Sequence, residues 1–336
     1  MKYAALIFLL LLVAATPLAA STIFVAPAAP ANASGQSWSD PVDLQTALQR
    51  AKTGDEVWVR VGVYTPGQQR NSSFVVPAGV RVYGGFGGHE TSPEQRSITA
   101  PSVLSGNIGN KGSMDDNVYT VVRLRSRDHH YSTLDGFVIR DGAARGFTDG
   151  FAAQNAGGGL YIEPLNGGKA AHQISNCVFV ANRAHNGGAV FVSSGQPVFT
   201  DCRFQNNTAD FNGGAIYNQG AGAYVSTTFQ SCHFEGNSSN SGGCMTNNAT
   251  NGQSTILILS SYFVDNHTVI NGGVVYNITR GTGDAEVIEE GNFFSGNSSL
   301  IGSDDNGIES DGITRSIATQ QRRHGGGTLR PVRVKK

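Results

Sequence analysis

After its first twenty residues the chain has no apolar run long enough to cross a bilayer as a helix, which needs about 20 residues. A helical membrane protein is therefore excluded by the sequence. The one long apolar stretch, Ala4 to Ala15, follows Met1-Lys2 and leads into Thr16-Pro17-Leu18-Ala19-Ala20. This is the charged, apolar and small-residue order of a secretory signal peptide, so residues 1–20 are expected to be removed, with Ser21 as the mature start. Acidic residues are also missing from one end: none follows Asp311, whereas Arg315, Arg322, Arg323, Arg330, Arg333, Lys335 and Lys336 are basic. That segment has no aromatic residue, and Gly325-Gly326-Gly327 interrupts it, so it reads as a flexible basic tail (315–336) and not as a nucleic-acid surface. Setting these seven and Lys2 aside leaves 16 of the 24 basic residues against 25 acidic ones, a net −9 for residues 21–314.

What the chain has in abundance is repetition. Phe-x-x-Asn occurs at Phe179/Asn182, Phe204/Asn207, Phe234/Asn237, Phe263/Asn266 and Phe294/Asn297, in steps of 25, 30, 29 and 31 residues. The first four copies are followed by a glycine pair and a small or apolar residue: Gly187-Gly188-Ala189, Gly213-Gly214-Ala215, Gly242-Gly243-Cys244 and Gly272-Gly273-Val274. Between these marks lie short, β-branched runs, Val190 to Val192, Val198 to Phe204, Ile256 to Phe263 and Val274 to Tyr276, which are strands by length and composition. A unit of this size holding two or three short strands cannot bury its own apolar face, but stacked units about 4.8 Å apart bury one continuous core. The predicted fold is all-β, a right-handed parallel β-helix occupying residues 21–314 as one elongated domain.

In such a stack equal positions form ladders. Phe is expected to stack on Phe in the core, and the Asn amides to bond to the coils above and below, satisfying turn backbone. The glycine pair is expected to permit positive φ or close backbone approach at a corner. Cys177, Cys202 and Cys232 each stand two residues before a repeat Phe, on the same strand face, with Ser261 and Asn292 in the next coils. A secreted chain with four cysteines ordinarily carries disulfides, yet ladder neighbours sit farther apart than the roughly 3.8 Å between Cβ atoms that a bridge prefers. An unpaired core-filling ladder and one strained bridge both remain open.

Before the repeats, Asp43 to Thr53 reads as a capped helix with Leu44, Ala47, Leu48 and Ala51 on one face and Gly54 as its stop. Glu56 to Tyr64 alternates as a strand, and the helix is the expected cap of an open solenoid end. Ser37-Trp38-Ser39-Asp40, Asp43 to Leu48, Gly54 to Val59, Gly79 to Thr91 (with Gly84-Gly85-Phe86-Gly87-Gly88-His89-Glu90), Leu104-Ser105-Gly106-Asn107 and Leu134-Asp135-Gly136-Phe137 together resemble the β-helix of choice-of-anchor Q domain proteins. The Phe-x-x-Asn and Gly-Gly-Ala-Ile repeats resemble those of chlamydial polymorphic outer membrane proteins. The resemblance implies an extracellular or surface-attached β-helix of the pectin-lyase-like fold, whose members include enzymes.

Polysaccharide hydrolysis on this scaffold requires paired carboxylates held on neighbouring coils. The nearest local match is Asp304-Asp305-Asn306-Gly307-Ile308-Glu309-Ser310-Asp311, but these carboxylates crowd into one coil's length, and an acidic solvated loop is the preferred reading of Asp304, Asp305 and Asp311. A lyase requires a Lys or Arg base, commonly beside a carboxylate-held Ca²⁺. Asp115, Asp116, Asp128, Asp135 and Asp141 lie near Arg123, Arg125, Arg127 and Arg140 in sequence, and read as exposed charges of alternating sign. His129 and His130 point to opposite faces if they lie on a strand, so neither a metal site nor a cofactor is implied. Sequons occur at Asn32, Asn71, Asn206, Asn237, Asn248, Asn266, Asn277 and Asn297, three of them ladder residues expected to be buried. The residues thus favour a secreted or cell-surface, non-catalytic β-helix that binds a polysaccharide or a surface protein through its long ribbed face. A polysaccharide lyase or glycoside hydrolase is the alternative, and a groove with three or more charged groups on adjacent coils would mark it.

Overall fold

The computed structural model describes residues 20–125, 127, 130–163 and 171–300, together with the backbone of Ile308–Ser310 and Thr314–Ala318. Every strand pair is parallel, and the strands form four sheets of 10, 8, 6 and 8 members among these residues. Each sheet is one wall of a right-handed parallel β-helix. A regular coil visits the walls in turn, as in Val198–Thr200 (first wall), Arg203–Gln205 (second), Thr208–Asn212 (third) and Ile216–Gln219 (fourth), before Tyr224–Gln230 starts the next.

The coil therefore has four strands, more than the two or three expected, because single residues fold apparently continuous strands in two. Val198 to Phe204 bends at Asp201 (φ 52°) and Ile256 to Phe263 at Ser260 (φ 49°), so each run contributes to two walls. A second such corner, between the second and third walls, is made by Ala181, Asn206, Gly236, Asp265 and Gly296, all at positive φ. Asn, Asp and Gly tolerate this left-handed conformation, so corner chemistry is written into the turn residues.

The glycine pairs make the corner before the fourth wall, and neither position leaves room for a side chain. Gly187, Gly213, Gly242 and Gly272 hold φ between 62° and 68°, and a Cβ on any of them would run into the carbonyl oxygen three residues on. At the second position a Cβ on Gly188 or Gly214 would run into the carbonyl oxygen of Gly214 or Gly243, one coil on.

Inside, the rungs are in register. On the second wall Phe179, Phe204, Phe234, Phe263 and Phe294 pair consecutively. Their rings are 4.5–5.1 Å apart and within 13° of parallel. On the first wall Leu134, Ile174, Phe199, Phe229 and Ile258 occupy one buried column. Cys177, Cys202, Cys232 and Cys244 are all buried and free, so no bridge forms, and burial pushes the Cys202 and Cys244 thiols up.

The amino-terminal end departs from its expected outline. The helix covers Leu44–Arg50, capped by Asp43 Oδ1, which accepts from the Thr46 N–H at 2.9 Å. It ends before Ala51, whose extended ψ of 138° starts the connection, so Gly54 belongs to the following turn. Leu44, Ala47 and Leu48 close the end of the core. Glu56 to Tyr64 is likewise two strands, Glu56–Arg60 and Val63–Tyr64, separated by a corner that leaves Val61 and Val63 exposed while Val57 and Val59 are buried. At the other end, Thr314–Ala318 pairs with Asp284–Glu290, straddling the boundary expected at residue 314.

Candidate functional site

The repeat residues come together as architecture. Each ladder Asn donates from Nδ2 to the Oδ1 of the Asn one coil on, at 2.8–3.1 Å from Asn182 through Asn297. The same Oδ1 accepts the backbone N–H of the donor's residue, and Nδ2 also donates to the preceding coil's Phe carbonyl, as in Asn237 to Phe204 O at 2.9 Å. All five side chains are buried, which leaves the sequons at Asn237, Asn266 and Asn297 no room for a glycan. A second buried amide series, Asn218, Asn247 and Asn277, runs along the fourth wall, with Asn247 Nδ2 donating to Asn277 Oδ1 at 3.0 Å.

The motif residues of the amino-terminal third are also structural. Trp38, Trp58, Phe86 and Phe24 pack into one aromatic cluster. Glu90 accepts backbone N–H bonds from Gly87, Gly88 and His89; burial pushes its carboxyl up, but these bonds together prevail and hold it at about 2. Asp135 accepts from Arg96, Ser175 and Asn176, binding a loop to the first wall. Asp141 pairs with Arg140 at 3.3 Å, and Asp116 accepts the Asn110 N–H. Asp128, His129 and the acidic residues Asp304, Asp305 and Asp311 lie outside the described residues. Of the charges clustered in sequence, Arg123 lines a concave surface.

That surface is a crevice of about 390 Å³ on the outside of the fourth wall. Arg123 and Tyr161, which line it, belong to one outward column in which Val75, Arg123, Tyr161, Phe191 and Tyr217 pair from coil to coil. Tyr161, Phe191 and Tyr217 stack at 5.3 Å and are almost fully buried although they lie outside the solenoid core. The segment after Ala143–Ala144 covers them: Phe151 rests on Phe191 at 5.1 Å and on Tyr217 at 5.4 Å. Asn155 holds this cover in shape by bonding to Thr148 Oγ1 and Gly150 O, both at 2.8 Å. Thr120 Oγ1 pins it by donating to Ala153 O at 2.6 Å, and Arg145 Nε latches it to Asp210 at 2.7 Å.

Asn71, Tyr119, Arg123, Gln154, Tyr161 and Glu163 line the opening between this cover and the wall. Arg123 Nη2 pairs with Glu163 at 2.6 Å, while its Nε is buried with no hydrogen-bond partner among the described residues. A buried donor of this kind is costly unless something accepts from it. Burial raises the Tyr161 phenol, keeping it protonated as a donor. Among the described residues Glu163 is the only carboxylate on the lining. Among the described residues no three His, Cys, Asp or Glu side chains gather to hold a metal ion. Sequence reading passed over Tyr161, although a signal existed: four residues after Gly157, Gly187, Gly213 and Gly272 stand Tyr161, Phe191, Tyr217 and Tyr276. Residues 145–157 carry no such signal.

The model of the chlamydial polymorphic membrane protein repeat matches residues 201–219, which hold the Phe204/Asn207 and Gly213-Gly214 marks. No curated protein sequence matches the chain. Among solved structures, pectate lyase Pel9A is 13% identical, with a TM-score of 0.45 over 88% of this chain and 79% of its own. Escherichia coli YbhC is 12% identical, TM-score 0.45, over 94% and 88%. The pectin methylesterase of Aspergillus niger is 14% identical, TM-score 0.42, over 90% and 93%. Among the described residues no helix is long and apolar enough to cross a membrane. What is established for this chain is thus a parallel β-helix, defined by its own strand pairing, with a stretch at residues 201–219 similar to the polymorphic membrane protein repeat.

Proposed function

We infer that the protein is a secreted or surface-exposed, non-catalytic β-helix that binds a glycan, with the fourth-wall crevice as a binding site for a neutral sugar residue. The observation that carries this reading is Arg123 Nε, buried and without a hydrogen-bond partner among the described residues, inside a crevice bounded by aromatic side chains. Sugars present apolar C–H faces and a rim of hydroxyls; the partly exposed ring of Phe151 suits the first, while Arg123, Glu163, Asn71 and Gln154 suit the second. Arg123 and Glu163 already neutralise each other, which favours an uncharged ligand over a uronate. The volume lies within the roughly 300–1,000 Å³ of small-ligand sites. A single carboxylate supports binding over hydrolysis, and the likeness to choice-of-anchor Q and polymorphic membrane protein repeats supports an extracellular setting.

The test is oligosaccharide binding by calorimetry with Arg123→Met, which keeps the stem and removes the donors. Binding should weaken about tenfold or more, the loss of one charge-assisted hydrogen bond, with the melting curve unchanged. Unaltered affinity in a folded Arg123→Met protein would remove the crevice from the account.

A further inference from the structure

The second wall carries, one residue before each core Phe, an outward column that the crevice reading does not use. It runs Val63, Val103, Val138, Val178, Arg203, His233, Tyr262, Phe293 across eight paired rungs. Tyr262 and Phe293 are 53% and 52% exposed. We propose that this face binds a neutral, extended polysaccharide, with Tyr262 and Phe293 as successive stacking platforms.

Three observations converge on that ligand. The inner and outer rings ride on the same strands at the same rung spacing, yet behave differently. Phe234, Phe263 and Phe294 lie flat on one another, within 2° and 13° of parallel. His233, Tyr262 and Phe293 stand 6.1 and 5.9 Å apart and are tilted by 58° and 48°, so the outer rings do not cover each other's faces. Large exposed aromatics that leave their faces free mark an interaction surface. The neighbouring outward column supplies hydroxyl partners, Gln205 and Glu235, which are already linked at 3.1 Å. Arg203 and Glu235 are one cation and one anion on adjacent strands, His233 lies 3.9 Å from Glu235, and a column of valines continues the stripe toward the amino terminus. A polyanion gains nothing from that balance. An extended neutral chain, repeating C–H faces along its length, matches a ladder repeating rings along its own.

Affinity electrophoresis in gels containing hydroxyethylcellulose, glucomannan or polygalacturonate tests the proposal on the full chain. The native protein is expected to be retarded by at least one of the two neutral polymers and not by polygalacturonate. Tyr262→Ala/Phe293→Ala should weaken that retardation tenfold or more, and Tyr262→Trp should retain it. Both aromatic side chains are outside the core, so circular dichroism should show the double variant folded; if it is not, Tyr262→Ser and Phe293→Ser are measured singly, each expected to weaken retardation. Retardation by polygalacturonate alone, by neither neutral polymer, or undiminished in the folded variants would overturn the proposal. So would a dimer in sedimentation that Phe293→Ala dissolves, since the stripe would then bind a second copy. Loss with Arg123→Met but not with the aromatic variants would overturn this site and leave the crevice reading standing.

Discussion

At the scale of single residues, the repeat pairs a hydrophobic group with a polar one that are energetically comparable. Phe204 is flanked by parallel rings at 5.0 and 4.5 Å, and truncating it to Ala should cost about 3–5 kcal/mol. Asn237→Ala removes the donor to Phe204 O and the acceptor for the Asn207 N–H and amide, and each orphaned buried group costs about 1–3 kcal/mol. Urea denaturation should therefore find Asn237→Ala no milder than Phe204→Ala; a mild loss would show that water replaces the amide. His172 sets an acid limit. It is buried, its Nδ1 accepts the Ser132 N–H at 3.1 Å, and burial pushes it down to about 4 from the ordinary 6.5. Above pH 6.5 neither state binds the proton. Between about 6.5 and 4 the unfolded state does and the folded state does not, so stability falls as pH falls through that window. His172→Gln should flatten the slope of stability against pH there, measured by denaturation at fixed temperature.

At the scale of the element, the strands were legible and the corners only partly so. The Phe-x-x-Asn spacing and the glycine pairs locate each coil because core and corner recur at the same place in every turn of the solenoid. Strand ends were harder to read because Asp201 or Ser260 at positive φ leaves the hydrophobic alternation unbroken while rotating the chain into the next wall. The same effect made Val61 and Val63 look inward-facing. Both glycines of the pair are constrained by space. Gly213 needs φ 65° and a Cβ there would meet the Ile216 carbonyl oxygen, while a Cβ on Gly214 meets the Gly243 carbonyl oxygen one coil on. Gly213→Asn should therefore destabilise even though Asn enters the left-handed region readily. Gly214→Ala should lower stability by about 1–3 kcal/mol by overpacking two coils at once, read as a shift in the urea midpoint.

At the scale of the whole molecule, a solenoid fixes side chains at regular intervals on four outer walls, and function is whatever those walls carry. The core ladders could be read from sequence because stacking makes their spacing periodic. The crevice could not, because it depends on residues 145–157 folding over the fourth wall, a contact between an irregular segment and a regular surface. Arg123 stood out in the sequence as one of several charges; only the burial of its Nε beside Tyr161 and Glu163 separates it from Arg125. The central claim, binding without turnover, is tested most directly by one polysaccharide panel read simultaneously for binding and for release of reducing ends or unsaturated uronates. The account predicts binding to a neutral glycan with no product release, in the native protein and equally when Asp304, Asp305, Glu309 and Asp311 are changed to their amides. Steady release of product by the native protein, abolished in a folded amide variant, would contradict it and make those carboxylates catalytic.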